Sequence, residues 1–154
     1  AQGAPHRHDV SSDHTHVVSN GKRELTLDEL ALMQPGMDRL MAEVGPRAHR
    51  LYYAATAGNW RLADYFFRSL VKQLKLCATS RPKYDADMTA YLDEDCAPVR
   101  TAIRDRDTAA FESAYQRMIE RANHYHGEFG KPYIVWVLPP APPDDLDLTA
   151  GADE

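Results

Sequence analysis

Apolar side chains recur at intervals of three and four residues along most of this chain, the spacing that aligns them on one face of a helix. The most regular stripe predicts a helix over 60–78. Gly58 favours the end of a preceding helix and Asn59 is a preferred N-cap residue, so they predict the turn before it. The stripe consists of Trp60, Ala63, Phe67, Leu70, Leu74 and Cys77.

Three further stripes predict three more helical regions. The first spans 37–57 and contains Pro46, which removes a backbone hydrogen bond and predicts a kink or short break. The second spans 85–104, where Pro98 predicts a kink or a new helix start. The third follows a cap at Asp107-Thr108 and is expected to end at Gly127 and Gly130. Their apolar positions are Leu40, Val44, Ala48, Leu51 and Ala55; Met88, Leu92, Cys96, Val99 and Ile103; and Phe111, Tyr115, Met118, Ala122 and Tyr125.

The two ends of the chain lack this periodicity. Residues 1–24 are polar and are interpreted as a flexible arm. Thr26 and Glu29 form a Thr-x-x-Glu capping box, which predicts a short helix that stops near Pro35-Gly36. Residues 131–138 are β-prone and expected to be extended.

The pattern as a whole predicts an all-α protein built as an antiparallel four-helix bundle over residues 25–138. A Pro-rich and acidic tail, 139–154, follows. Its last part, 144–154, is expected to fray.

Composition narrows the function classes. The 154 residues suit one domain, and the net charge of -5 comes from interspersed charges, which disfavours nucleic acid as a partner. The longest apolar run has six residues, well below the ~20 that span a bilayer, so no membrane span is predicted. Neither a catalytic triad, a Gly-rich phosphate loop nor a Glu-x-x-His pair is present, and we do not expect an enzyme.

The start of the chain and its cysteines bear on the compartment. Ala1-Gln2-Gly3-Ala4 is typical of a mature N-terminus after signal cleavage, which predicts an exported, periplasmic protein; a trimmed chain is the alternative. Cys77 and Cys96 could form one disulfide or serve as two small buried apolar residues. Their spacing excludes a CxxC motif.

Several short segments carry a family resemblance. Ala57-Gly58-Asn59-Trp60, Cys96-Ala97-Pro98-Val99 and Gly130-Lys131-Pro132-Tyr133-Ile134-Val135 occur in this order. The chain resembles, over about residues 35–138, small exported bacterial proteins related to four-helix-bundle c-type cytochromes of cytochrome c′-like architecture. Many of these carry a Cys-Asn-x-Cys-His stretch on the last helix.

The resemblance implies a haem site at the end of the last helix, and this chain departs from it. Ala122 and Tyr125 stand where the family has its two thioether cysteines, and Asn123 matches the Asn. His126 stands where the haem-ligating His would be. A thioether bond needs a thiol at both positions, so covalent haem is excluded.

The remaining candidates for chemistry are histidines. His126 is a candidate ligand, or alternatively a His hydrogen-bonded at the helix end. His124 lies two residues away, about 200° around a helix, so the two cannot easily share a metal ion there. His49 is predicted on another helix, so its position relative to either of them is not restricted by the geometry of a single helix. His6 and His8, and His14 and His16, form two His-x-His pairs in the arm that suit copper, nickel or zinc, unless the arm only aids solubility.

These observations support three hypotheses. The first is an exported binding protein that holds a metal ion, copper or alternatively zinc, through His126 or His124 with help from His49 or the arm. The second is a haem-less structural, sensor or interaction protein whose segment 131–143 docks on a redox-protein partner or a second copy. The third, of lower rank, is a protein that binds haem non-covalently through His126. We expect the many aromatic residues to fill the core, and a ligand pocket lined by tyrosine hydroxyls is the alternative.

Overall fold

The computed structural model describes residues 17–19 and 21–152, and most of them are helical, as predicted. The chain divides into two compact units, 1–35 and 36–154. The arm histidines His6, His8, His14 and His16 lie outside the described residues.

The described part of the first unit, residues 17–19 and 21–35, contains two short strands and one helix. Strands β1 (Val17–Ser19) and β2 (Glu24–Thr26) pair antiparallel, and helix α1 (Leu27–Leu32) follows directly. The predicted capping box is confirmed: Glu29 N donates to Thr26 Oγ1 over 3.1 Å, and Thr26 N donates to Glu29 Oε2 over 2.9 Å. The described part of the arm predicted over 1–24 is paired at Val17–Ser19 and Glu24. These strands were not predicted, because three residues are too few to reveal a period of two.

The second unit holds the longer helices. Those over its described residues are α2 (Met37–Met41), α3 (Val44–Thr56), α4 (Trp60–Ser80), α5 (Asp85–Ala90), α6 (Ala97–Asp105) and α7 (Thr108–Glu128). A 3₁₀ turn, Pro82–Tyr84, precedes α5, and a π-helical turn, Tyr91–Cys96, connects α5 to α6.

The core lies where α3 and α6 pack against both α4 and α7. The predicted stripes point into it. Phe67, Leu70 and Leu74 of α4 are buried, as are Phe111 and Met118 of α7. Burying an aliphatic or aromatic side chain of this size contributes about 1.5–3 kcal/mol, so these stripes supply much of the driving force for folding.

Both predicted proline interruptions are present. The region predicted as one helix over 37–57 breaks between α2 and α3, and Pro46, in the first turn of α3, has no N–H to donate to a carbonyl one turn earlier. Pro98 lies in the first turn of α6 and directly follows the π-helical turn. Because Pro98 cannot donate to Glu94 and its ring crowds that carbonyl, the hydrogen bonding before it widens.

The predicted turn at Gly58 and Asn59 is confirmed, and the last helix ends slightly later than predicted. Gly58 has a φ of +80°, and Asn59 caps α4 by accepting a hydrogen bond from Leu62 N over 3.0 Å. Helix α7 continues through Gly127 to Glu128, so the left-handed Gly130 alone marks its end.

The C-terminal region differs from the expectation. Residues 131–138 form neither a helix nor a strand. The residues expected to fray are held, up to 152, because Asn59 Nδ2 donates to Leu148 O over 2.9 Å and to Ala150 O over 3.0 Å. Leu148 also packs against the core. An acidic composition indicates exposure but carries no information on where backbone carbonyls find donors.

The two cysteines are buried and unbonded, which selects the second of the two predicted alternatives. Burial raises the pKa of the Cys96 thiol to about 12. Among the helices over residues 27–128, none combines the length and apolar character that crossing a bilayer requires.

Candidate ligand groove

An open groove of about 480 Å³ lies within the second unit. Side chains from α2, α3, α4, α5 and α7 line it, together with segment 131–136. Ala122, Tyr125 and His126 are among them. The groove therefore lies beside the positions that the family resemblance associates with haem.

Thioether and hydrocarbon groups form most of the groove wall. Methionine side chains are flexible and polarisable, so a wall rich in them adapts to ligands of different shape. Four methionines contribute, from α2, α5 and α7: Met37, Met41, Met88 and Met118.

Four aromatic rings form a continuous wall at one end of the groove. Tyr84 and Phe129 have centroids 4.7 Å apart, Phe129 and Tyr125 stack at 6.0 Å, and Tyr125 meets Tyr91 edge to face at 5.9 Å. All four residues line the groove. Such contacts stabilise ring orientations, so this wall is preformed.

The buried tyrosine hydroxyls near the core bond the protein backbone. Tyr91 donates to Met118 O over 3.0 Å, and Tyr115 donates to Ala48 O over 2.8 Å. Burial raises the pKa of Tyr91 well above its ordinary value, so its hydroxyl stays protonated. These hydroxyls stabilise the core, while the rings of Tyr91 and Tyr125 face the groove.

Residues 131–138, which we call the strap, close one side of the groove. Asn123 of α7 holds the strap at Trp136: Trp136 N donates to Asn123 Oδ1, and Asn123 Nδ2 donates to Trp136 O, both over 2.9 Å. The indole of Trp136 lies against the backbone of α3 at Gly45, where a Cβ would be 2.7 Å from Nε1. Gly45 thus permits the strap to approach α3.

His126 makes the next contact between α7 and the strap. Its Nδ1 lies 3.0 Å from Ile134 O. A carbonyl can only accept, so Nδ1 carries the proton in this hydrogen bond, and Nε2 of the neutral ring keeps its lone pair. Among the predicted histidine ligands, His126 lines the groove.

The other two described histidines have separate partners. His124 Nε2 lies 3.1 Å from Glu128 Oε1, one turn along α7, and is half-exposed. His49 Nε2 lies 2.8 Å from Ala141 O, and its ring meets Tyr53 edge to face. Over residues 17–19 and 21–152, no group of three His, Cys, Asp or Glu side chains is arranged to hold a metal ion.

Sequence reasoning missed the residues that shape the groove. It matched Asn123 to a family position without assigning it a role, and it expected aromatic side chains to fill this region. The strap that lines one side of the groove is held by Asn123 and His126 through its backbone. The only signal in the sequence was the succession of Asn123 and His126, which face the strap from the last turns of α7.

Comparison of the chain with protein-family models, with curated proteins and with solved structures finds no match.

Proposed function

We propose that this chain is a helical-bundle binding protein, of antiparallel cytochrome c′-like architecture but without covalent haem, that holds a small and largely apolar organic molecule in the groove. The observation that carries the proposal is the groove itself, about 480 Å³ in volume and walled by methionine and aromatic side chains. Ligand pockets in proteins measure roughly 300–1,000 Å³ and are mostly apolar, with few polar groups.

A neutral dye tests the proposal. Nile red added to the protein is expected to gain fluorescence as it enters the groove. Ala122→Phe places a ring in the groove from α7, and Ala109→Phe makes the same change on an exposed part of the same helix. We expect the first variant to weaken dye binding about tenfold or more, ~1.4 kcal/mol, and the second to leave it unchanged.

Circular dichroism verifies that both variants fold. If Ala122→Phe does not fold, Val44→Phe, which fills the groove from the α3 side, replaces it. Equal binding by wild type, Ala122→Phe and Val44→Phe would show that the dye binds elsewhere. No dye binding by the wild type would overturn the proposal.

Non-covalent haem is the second candidate, and His126 favours it. The imidazole lines the groove, its Nδ1 is fixed by Ile134 O, and Nε2 is the nitrogen that would face a metal. Bound haem would supply redox or gas-binding chemistry, and this chain would contribute the His126 imidazole as a ligand and an apolar enclosure. The carboxylates of Asp38 and Asp87, which also line the groove, fit poorly beside haem propionates.

Titration with hemin distinguishes this candidate. A stoichiometric Soret shift that His126→Ala abolishes, and that the matched His124→Ala retains, would support it. A titration without a Soret shift would exclude haem binding and would not affect the first proposal.

The metal-ion hypothesis stays a prediction. Copper or zinc would need His126, His124 or His49 together with ligands from outside the described residues, such as the arm histidines. Elemental analysis of the purified chain, repeated on a chain lacking residues 1–16, tests it. Unchanged metal content after both that truncation and His126→Ala would refute it.

The interaction hypothesis also stays a prediction, and one feature of the strap favours it. Tyr133, Val135 and Val137 form the most exposed stripe of the strap, at 77%, 62% and 70%, and Ile134 is exposed to 42%. An antiparallel pairing with a second copy centred on Val135 would bury this stripe on both chains. Light scattering is expected to give a dimer mass that Val135→Lys reduces to the monomer; a monomeric wild type would refute it.

A further inference from the structure

We propose that the ligand of the groove is an organic cation with an apolar body, such as an alkylammonium amphiphile. This inference rests on the proposed function and assigns the ligand its charge. It follows from the charged groups at the groove and from the aromatic wall.

Carboxylates outnumber cations among the groove-lining residues. Asp38 and Asp87 line the groove from the first turns of α2 and α5, and both are exposed. Lys131 is the one Lys or Arg among the lining residues. Within the described ranges, neither aspartate nor Lys131 takes part in an ion pair. A cationic group in the groove would therefore gain two uncommitted carboxylates.

The chain around Asp87 is rich in carboxylates. Between Lys83 and Arg100 there are five carboxylates and no Lys or Arg. One of the five, Asp95, is buried and faces Arg121, with 3.6 Å between Oδ2 and Nε. The other four are exposed: Asp85, Asp87, Asp93 and Glu94. Only charges within about 8–10 Å of a ligand act on it strongly at physiological ionic strength, so Asp87, which lines the groove, is the member of this segment that would attract a cation there.

The aromatic wall attracts cations as well. Ring faces carry a negative partial charge, and a cation within about 6 Å of a ring centroid is stabilised. Protein cations already stack on two rings of this wall: Lys83 Nζ lies 4.8 Å from the Tyr84 centroid, and Arg121 Cζ lies 5.1 Å from the Tyr125 centroid. The remaining rings of the wall, Tyr91 and Phe129, have no Lys or Arg stacked on them among the described residues.

Three detergents with the same dodecyl tail test the inference. Dodecyltrimethylammonium, dodecyl maltoside and dodecyl sulfate each compete with Nile red, below their micelle concentrations and with circular dichroism recorded to verify the fold. We expect the cation to displace the dye at a concentration about tenfold below that of the maltoside, and the sulfate to be the weakest competitor.

Neutral variants locate the charge effect. Asp38→Asn with Asp87→Asn is expected to remove most of the preference for the cation over the maltoside. Asp144→Asn with Glu112→Gln changes the net charge equally at exposed positions that lie outside both the groove lining and the acidic segment around Asp87, and is expected to preserve this preference. Added salt should reduce the preference without weakening maltoside binding.

The proposal that the groove binds a ligand and the proposal that this ligand is a cation can be refuted separately. If Nile red binds and Ala122→Phe blocks it, but the sulfate competes as well as the ammonium compound, the charge assignment is wrong and the groove remains a binding site. The same conclusion follows if the two double variants behave alike. If no dye enters the groove, both proposals fall.

Discussion

At the residue scale, Asn59 joins two distant parts of the second unit through one amide group. Its Oδ1 caps α4, and its Nδ2 binds the carbonyls of Leu148 and Ala150. Asn59 is 1% exposed. A polar group that loses its hydrogen bond to Asn59 after substitution therefore has little access to water as a replacement partner. Such unpaired groups cost about 1–3 kcal/mol each.

Substitutions at Asn59 separate the cap from the contact with the tail. We expect Asn59→Ala to lower the free energy of unfolding by about 2–4 kcal/mol, because it removes both functions. Asn59→Ser keeps a capping oxygen and is expected to recover about 1 kcal/mol of this loss. Urea unfolding followed by tryptophan fluorescence measures both changes.

Limited proteolysis tests whether Asn59 also holds the C-terminal tail in place. Both variants lose the donor to Leu148 and Ala150, so cleavage after residue 143 should accelerate in both. Equal stability of the Ala and Ser variants, or an unchanged cleavage rate, would contradict this account of Asn59.

At the element scale, the contact between α3 and the strap depends on a missing side chain. A Cβ at Gly45 would lie 2.7 Å from Trp136 Nε1. Gly127, within α7, is also helical, but a Cβ there would have no atom within 4 Å. The two glycines thus form a matched pair on helices of the same unit.

Alanine at these two positions is expected to have opposite effects. Gly127→Ala should stabilise the protein by about 0.5–1 kcal/mol, since alanine restricts the unfolded chain and favours the helix. Gly45→Ala should destabilise it by about 1–3 kcal/mol, because Trp136 must move. Stabilisation by Gly45→Ala would mean that the strap does not pack on α3.

The fluorescence of Trp136 reports the same displacement. The chain has two tryptophans, so a Trp60→Phe background leaves Trp136 as the single reporter. In that background, Gly45→Ala should shift the emission to longer wavelength as the indole becomes more exposed to water, and Gly127→Ala should not.

At the scale of the whole molecule, the buried thiol and tyrosine hydroxyl groups lead us to expect lower stability at alkaline pH. Burial raises the pKa of Cys96 from 9.0 to about 12. Burial also raises the pKa values of Tyr91 and Tyr115 above their ordinary 10.0. Above pH 9 the unfolded chain therefore binds fewer protons than the folded one, and the free energy of unfolding falls as pH rises.

The expected slope is about 1.4 kcal/mol per pH unit for each such group, beginning near pH 9 with the cysteine and steepening near pH 10 with the tyrosines. Urea midpoints measured at intervals from neutral pH upward test this. Cys96→Ala, compared by slope rather than by absolute stability, should make the decline above pH 9 shallower without removing it, because burial also raises the pKa of Cys77. Midpoints that stay level through pH 11 would contradict the burial of these groups.

The elements that could be predicted depend on nearby residues in the sequence, and those that could not depend on distant ones. The helices of the second unit, their caps at Asn59 and Asp107 and the interruptions at Pro46 and Pro98 could be predicted, because each depends on residues within about one turn of the chain. The pair of strands in the first unit could not, since three-residue strands depend on their partner.

The sequence by itself also determined that Ala122 and Tyr125 cannot form thioether bonds, because that is a property of the side chains in any fold. Only the tertiary structure decided that a groove remains beside them. It depends on Asn123 meeting the backbone of Trp136, 13 residues away, and the same unit is closed by Asn59 meeting Leu148, 89 residues away. These contacts join an amide to a backbone carbonyl, which every residue possesses, so no pattern of side chains identifies the partner.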